Sequence, residues 1–427
     1  LSQVPLRAMA RPKLLVVTRH SPLPENDGAG AYLFDLLSYL ARHGVEIEIA
    51  WVHSEDKLRK KKWWKVPARI RRVAHLTIIG SLAIGPWRYL EWGRTKARLG
   101  ALLGRIRSLG RSAPATPANS PAQANGATVY QPKWSALPTP LEARFFQKRL
   151  RSFQPDTVLA NYCWFTPLLP QDGRRHFVLT HDVASARLAF TGRTPPEELA
   201  DHSLDPANPQ GEARLLERAR TIIAISEEDA SVFRGWLPQH DIVVASKAAL
   251  PRPPQGSPVP GSCLFVGSNN LPNQQGLHWF LQQVWPQIRA ARPDATLDIC
   301  GSIDRSVRQT PPGVNVRGRV DDLTEAYERA EVVIVPLLAG SGVKIKLVEA
   351  ASHGKAIVTT PIGLQGLDFL RPSVREADSA DAFAQGVLDL LGSENLRASL
   401  SHGTLAAIRN HLSPDSCYRG ILERLRS

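Results

Sequence analysis

Residues 336–367, PLLAGSGVKIKLVEAASHGKAIVTTPIGLQGL, gather the groups best suited to chemistry in this chain of 427 residues. Gly340 and Gly342 flank Ser341, and Lys344, Lys346 and Glu349 follow at intervals of two and three. Glycines let backbone N–H groups approach an anion closely, and a helix starting beside them adds positive partial charge. The two lysines add full charges. The spacing predicts a helix from about Val343 to His353, stopped by Gly354. Glu349 then lies roughly 9 Å along its axis, at about 1.5 Å per residue. That suits a ligand anionic at one end and hydroxylated at the other: a diphosphate at the loop and a ribose at Glu349, as in a nucleotide-sugar. A Gly-x-Gly turn alone is common, however. Lys and Glu three apart on a helix also form ordinary solvated pairs worth roughly 0.2–0.5 kcal/mol.

The elements that must position these groups read as alternating strands and helices. Val332–Val335 is a β-branched run and predicts a buried parallel strand; Ala356–Thr360 predicts the next. Earlier, Lys13–Arg19 predicts a strand feeding the loop Asp27-Gly28-Ala29-Gly30 and a helix through Arg42. That turn lacks the Gly-x-Gly-x-x-Gly fingerprint. Glu46–Val52, Asp156–Ala160, Phe177–Thr180, Thr221–Ile225 and Asp241–Ser246 are further strands, and Leu141–Phe153 and Glu212–Arg220 are helices. His181-Asp182 directly follows a strand, at the end that faces the ligand crevice in open α/β sheets. His181 could bond a sugar hydroxyl with Asp182 orienting it; a His-Asp pair there also serves structure alone. Ser226 and Asp229 have the spacing of a helix cap. After the Pro-rich stretch 251–261 the pattern restarts with strand Cys263–Val266, Gly267, the loop SNNLPNQQG and a helix Leu277–Ala291. Strands Thr296–Cys300 and Val314–Arg317 follow, the second leading through Gly318-Arg319-Val320 to a helix at Leu323.

The stretch Gly-Ser-Gly-Val-Lys-x-Lys-x-x-Glu resembles the donor-binding segment of family 4 retaining glycosyltransferases. Further likeness appears at Asp27–Gly30, His181-Asp182 and Phe265–Trp279, and so covers most of the chain. The resemblance implies an α/β chain of GT-B fold, two facing Rossmann-like domains with an interdomain cleft. It implies an acceptor-side domain over 11–250 with a basic insertion at 57–128, and a linker over 251–261. A nucleotide-sugar-binding domain spans 262–410, and a helix over 411–427 crosses back. Glu349 matches the second of the family's two glutamates, near the ribose; Ser341 stands where the first would fall. Gly340, Gly342, Lys344, Gly267, Asn269 and Arg319 fall on the donor side; no basic residue lies between Gly267 and His278, so Lys344 or Lys346 supplies the charge for the phosphates. His181, Lys346 and Ser341 are the catalytic candidates, and Asp27, Gly28 and Gly30 line the acceptor loop. No metal or other cofactor is called for; the donor is a nucleotide-diphosphate sugar and the acceptor a lipid-linked or other glycan in cell-surface polysaccharide synthesis. A sugar-nucleotide epimerase and a non-catalytic partner of the same fold stay open.

Composition adds one constraint. The net charge is +14, and residues 57–111 alone hold sixteen Lys/Arg against the single acid Glu91, so the rest of the chain is close to neutral. Trp63, Trp64, Trp87 and Trp92 accompany these cations, and Leu99, Leu102, Leu103 and Ile106 fall on one helix face. The segment reads as an anionic-membrane-surface element, or as an ordinary domain helix with a solvated cationic face. No nucleic-acid motif accompanies the charge. Residues 112–128 are uncharged and rich in Ala, Pro, Ser and Asn, as in a surface excursion. The four widely spaced cysteines and the lack of an apolar segment in Leu1–Arg11 lead to the expectation of a cytoplasmic protein, peripheral on the inner face of the membrane.

Overall fold

A computed structural model describes residues 11–23, 28–52, 62–92, 95, 136–190, 204–306, 310–320, 322–340 and 342–427. Asp27, Ser341, the Leu99–Ile106 stripe and the 112–128 stretch lie outside them. In chain order the strands are Lys13–Thr18 (β1), Glu46–Trp51 (β2), Trp63–Lys65 (β3), His75–Ile78 (β4), Leu82–Ile84 (β5), Trp87–Tyr89 (β6), Thr157–Asn161 (β7), Phe177–Leu179 (β8), Thr221–Ala224 (β9), Asp241–Val244 (β10), Ser262–Val266 (β11), Thr296–Cys300 (β12), Val314–Gly318 (β13), Val332–Val335 (β14), Ala356–Thr359 (β15) and Arg375–Glu376 (β16). They form a seven-stranded sheet of order β10-β9-β8-β7-β1-β2-β4, a six-stranded sheet of order β13-β12-β11-β14-β15-β16, and a small sheet β3-β6-β5. In the six-stranded sheet every neighbouring pair is parallel. The apolar runs explain this: β9 and β14 are buried at every residue, as strands covered on both faces must be. By compactness the chain groups into Leu1–Leu179 with Thr194–Thr221, and Thr180–Arg193 with Ile222–Ser427.

Three helix boundaries differ from the sequence expectation, two because a capping side chain outweighs hydrophobic spacing and one because the backbone at the helix start is extended. The helix after β11 starts at Leu271 rather than Leu277, because Asn270 caps it through the Asn273 amide and Pro272 occupies its first turn. The helix expected over Glu212–Arg220 runs Pro209–Leu216, capped by Asn208. The helix after β14 runs Ile345–Ser352, because Lys344 is extended, with φ −86° and ψ 92°. The apolar run Val73–Ile84 divides at Gly80 into β4 and β5, which lie in different sheets. The last helix, Pro414–Arg426, is tied to β10 by Arg424, which donates to both oxygens of Asp241 at 2.7 and 2.8 Å. All four cysteines are buried free thiols. Burial pushes Cys263 and Cys417 up to about 12. Among the described residues no helix is long and apolar enough to cross a membrane.

One close approach fixes the helix Leu271–Trp279 against the end of β14. A Cβ at Gly276 would stand 2.1 Å from the Pro336 carbonyl oxygen. Gly276→Ala therefore forces helix and strand apart, and we expect it to cost about 1–3 kcal/mol, as overpacking does. A lowered urea midpoint at unchanged slope is the expected outcome; a wild-type midpoint would contradict the packing described.

Candidate functional site

The site grows from the carboxyl ends of β11, β12 and β14. Gly267 follows β11 and donates to the Cys300 carbonyl at 2.9 Å; Gly301 follows β12 and donates to Gly318 at 2.7 Å. A Cβ at Gly301 would lie 2.2 Å from the Gly267 oxygen, so these strand ends meet backbone to backbone. The turn after Gly267 is held by side-chain amides. Asn273 is buried and its side chain donates to the Ser268 carbonyl at 2.8 Å, while Asn269 donates its backbone N–H to the Ser302 hydroxyl at 3.1 Å and its side-chain oxygen accepts from Gln274 at 2.8 Å.

The second loop comes from β14. Gly340 and Gly342 have φ of +130° and +71°, conformations that favour glycine. A Cβ at Gly340 would stand 3.7 Å from Pro272, and one at Gly342 would stand 3.5 Å from the His181 carbonyl oxygen. The loop thus lies against the first turn of the helix Leu271–Trp279 on one side and His181-Asp182 on the other. The helix Ile345–Ser352 begins just beyond it, and its N-cap Lys344 supplies no side-chain cap. First-turn amides there are positioned to meet an anion.

The two lysines do different things. Lys344 is buried and folds back, donating to the Gly340 and Gly342 carbonyls and to the Gln365 side chain. Burial lowers its pKa to about 8, against the opposing attraction of Asp229, Asp182 and Glu228. Asp229 is in turn raised to about 6, by burial first and by Asp182 second. Lys346 is half-buried, donates to the Asn273 side-chain oxygen and lies 4.9 Å from the Phe265 ring centroid. Burial, then the neighbouring Lys344, brings it down to about 7. Three residues on, Glu349 accepts from the Tyr327 hydroxyl at 3.2 Å, and burial raises its carboxyl. Tyr327 stacks on His353 with ring centroids 4.5 Å apart.

The structure therefore brings Gly267, Gly340, Gly342, Lys344, Lys346 and His181 into one neighbourhood, with Glu349 further along the same helix. Asp182 pairs with Arg187 at 3.1 Å. Arg319 is exposed past β13, and among the described residues no hydrogen bond or ion pair joins it to the group. Gly28 and Gly30 lie in the first turn of the helix Gly28–Arg42, in the other compact unit. Asn273, Tyr327, Gln365 and the charge role of Asp229 were not expected. Only Asn273 left a trace in the sequence, as the third residue past a capping asparagine.

Residues 260–393 match the family model described as Glycosyl transferases group 1. An uncharacterized 44.6 kDa protein in the cps region of Klebsiella pneumoniae is 31% identical over 115 residues, which are 24% of this chain and 30% of that protein. Among solved structures, sucrose-phosphate synthase from Thermosynechococcus elongatus superposes with a TM-score of 0.63 at 13% identity, covering 97% of this chain and 98% of that one. A TarM mutant from S. aureus in complex with fondaparinux, alpha-GlcNAc-glycerol and UDP gives 0.66 at 10% identity, covering 97% and 100%. HepE from Anabaena in complex with UDP-glucose gives 0.60 at 13%, covering 97% and 99%. At these identities the likeness is one of fold, and the fold is the GT-B class.

Lys344 faces three carboxylates, so removing it leaves them facing one another. Lys344→Met is expected to cost about 3 kcal/mol at pH 7, where Lys344 is still mostly protonated and Asp229 mostly ionised. The cost shrinks toward pH 5, where Asp229 takes up a proton and needs the cation less. Unfolding midpoints across that range check this; an equal cost at both ends, or none, would contradict it.

Proposed function

We propose that the chain, whose residues 260–393 belong to the group 1 glycosyltransferases, moves a sugar from a nucleotide-diphosphate sugar to a glycan or lipid-linked acceptor with retention of configuration. The observation that carries this reading is one helix, Ile345–Ser352. It presents Lys346 at its start, beside two glycine-shaped loops, and Glu349 on the same face further along. The diphosphate lies against the first-turn amides and Lys346, and the ribose hydroxyls bond to Glu349. As the sugar–phosphate bond breaks, negative charge grows on the departing diphosphate, where a preformed cation and oriented amides stabilise it most. No metal ion is strictly required for that step. His181, beside Gly342, contacts the sugar, and the acceptor hydroxyl attacks on the face the diphosphate leaves, passing its proton to an oxygen of the departing diphosphate. Lys344 holds the loop in shape. The cps-region relative supports a place in capsule-type polysaccharide synthesis.

A thermal-shift screen of nucleotide-sugars, starting with UDP-glucose, tests the donor class. A ligand at a hundred times its Kd stabilises the fold by about 2.7 kcal/mol. With the best donor, Glu349→Ala is expected to lower affinity about 10- to 100-fold, since hydrogen bonds to a charged group are worth about 1.5–3 kcal/mol. Calorimetry showing unchanged binding by a folded variant would remove Glu349 from the site. Turnover of donor with no acceptor would point to an epimerase instead, and binding without turnover on any acceptor to a non-catalytic protein.

Lys346 adds a pH signature. Its ammonium is depressed to about 7, so above that pH the free protein carries it neutral, while a bound diphosphate favours the protonated form. Donor affinity should fall about tenfold or more between pH 7 and 9, and Lys346→Met should bind more weakly at pH 6.5 and lose this dependence. A wild-type profile flat over that range would exclude the phosphate role.

A further inference from the structure

The small sheet β3-β6-β5 is spliced in between β2 and the helix Pro140–Phe153, inside the basic segment. Its register sets Tyr89 of the central β6 between Trp63 and Leu82, and Trp87 between Lys65 and Ile84. Side chains alternate across a strand, so these six share one face. The other face is spent on the domain. Trp64 meets Trp51 edge-on with centroids 6.3 Å apart, and buried Arg88 donates to the Leu76 carbonyl at 2.8 Å and the Gly85 carbonyl at 2.9 Å. Among the described residues nothing comparable covers the outer face: Trp63 is 48%, Trp87 43% and Ile84 52% exposed, and the two tryptophans are the only large aromatic residues there so exposed.

We propose that this face docks the protein on an anionic lipid bilayer, with Trp63, Trp87 and Ile84 entering the headgroup layer. Charge complementarity selects that occupant. Lys62, Lys65, Arg69, Arg71 and Arg72 are exposed on and around the sheet, and Glu91 is the only acid in 57–111. Lys65 Nζ stands 5.7 Å from the Trp87 centroid, so a cation and an indole leave the surface together. Tryptophan is at home where an apolar medium meets water, and clustered cations are drawn to anionic headgroups within a Debye length, about 8 Å at physiological salt. A soluble protein seldom spends two tryptophans on water, and a β-sheet so short is held to its domain on one side only. This docking goes beyond the transfer reaction and stands or falls apart from it.

Co-sedimentation of the full chain with phosphatidylcholine vesicles, with and without phosphatidylglycerol, tests it. Pelleting is expected only with phosphatidylglycerol, and to weaken as salt is raised. Lys62→Glu with Lys65→Glu, both exposed, is expected to lower partitioning about tenfold or more. Trp63→Ser with Trp87→Ser should lower it comparably while leaving donor binding intact. The inference is overturned if wild-type protein pellets equally with both vesicles or with neither. It is also overturned if folded forms of the two variants pellet as wild type does. A dimer in solution that the tryptophan variant abolishes, with no vesicle binding, would give this face to a second copy and overturn it too. Should the tryptophan variant fail to fold, the charge-reversal variant decides alone.

Discussion

Two ammonium groups sit within three residues of one another at the start of one helix, one buried and one half-buried, and burial lowers the pKa of both. Much of the surrounding structure can be understood as the answer to that cost. An enclosed cation must find oxygen or lose its proton. Lys344 finds oxygen in the carbonyls of the glycine loop and in Gln365, with three carboxylates behind it. Among the described residues Lys346 finds the Asn273 side chain and the face of Phe265, and its pKa falls further. The first lysine is satisfied within the protein. The second is poised for a stronger anionic partner.

The loops that carry these groups are shaped by backbone geometry rather than by side-chain bulk. Gly340 and Gly342 turn the chain through positive φ after β14, and Gly276 lets the helix Leu271–Trp279 press on the end of that strand. Gly267 and Gly301 do the same between β11 and β12. The Asn273 amide then joins the two loops, bonded to Ser268 on one and to Lys346 beyond the other.

Much of this was legible in the residues. The β-branched run Val332–Val335, the glycines at 340, 342 and 354, and the alternation of strands with helices follow from covalent and solvation rules that act locally. Helix starts were less legible, because a capping side chain competes with periodicity, and Asn270 and Asn208 win over the apolar pattern. Side-chain direction was the hardest. Ser226 does accept from the Asp229 amide as the cap spacing implied, yet the Asp229 carboxyl answers Lys344, which lies 115 residues away in sequence. The small sheet was missed altogether. Its face exists only because pairing aligns Trp63 with Tyr89 and Lys65 with Trp87, residues that no local period relates.

On the proposed reading a nucleotide-sugar lies on the glycine loops, Lys346 and Glu349. Hydrogen–deuterium exchange with and without the donor that stabilises the protein most would test it directly. Protection concentrated in residues 267–273 and 342–352 is the predicted result. Binding that protects other segments and leaves both of these exchanging as in the free protein would contradict it.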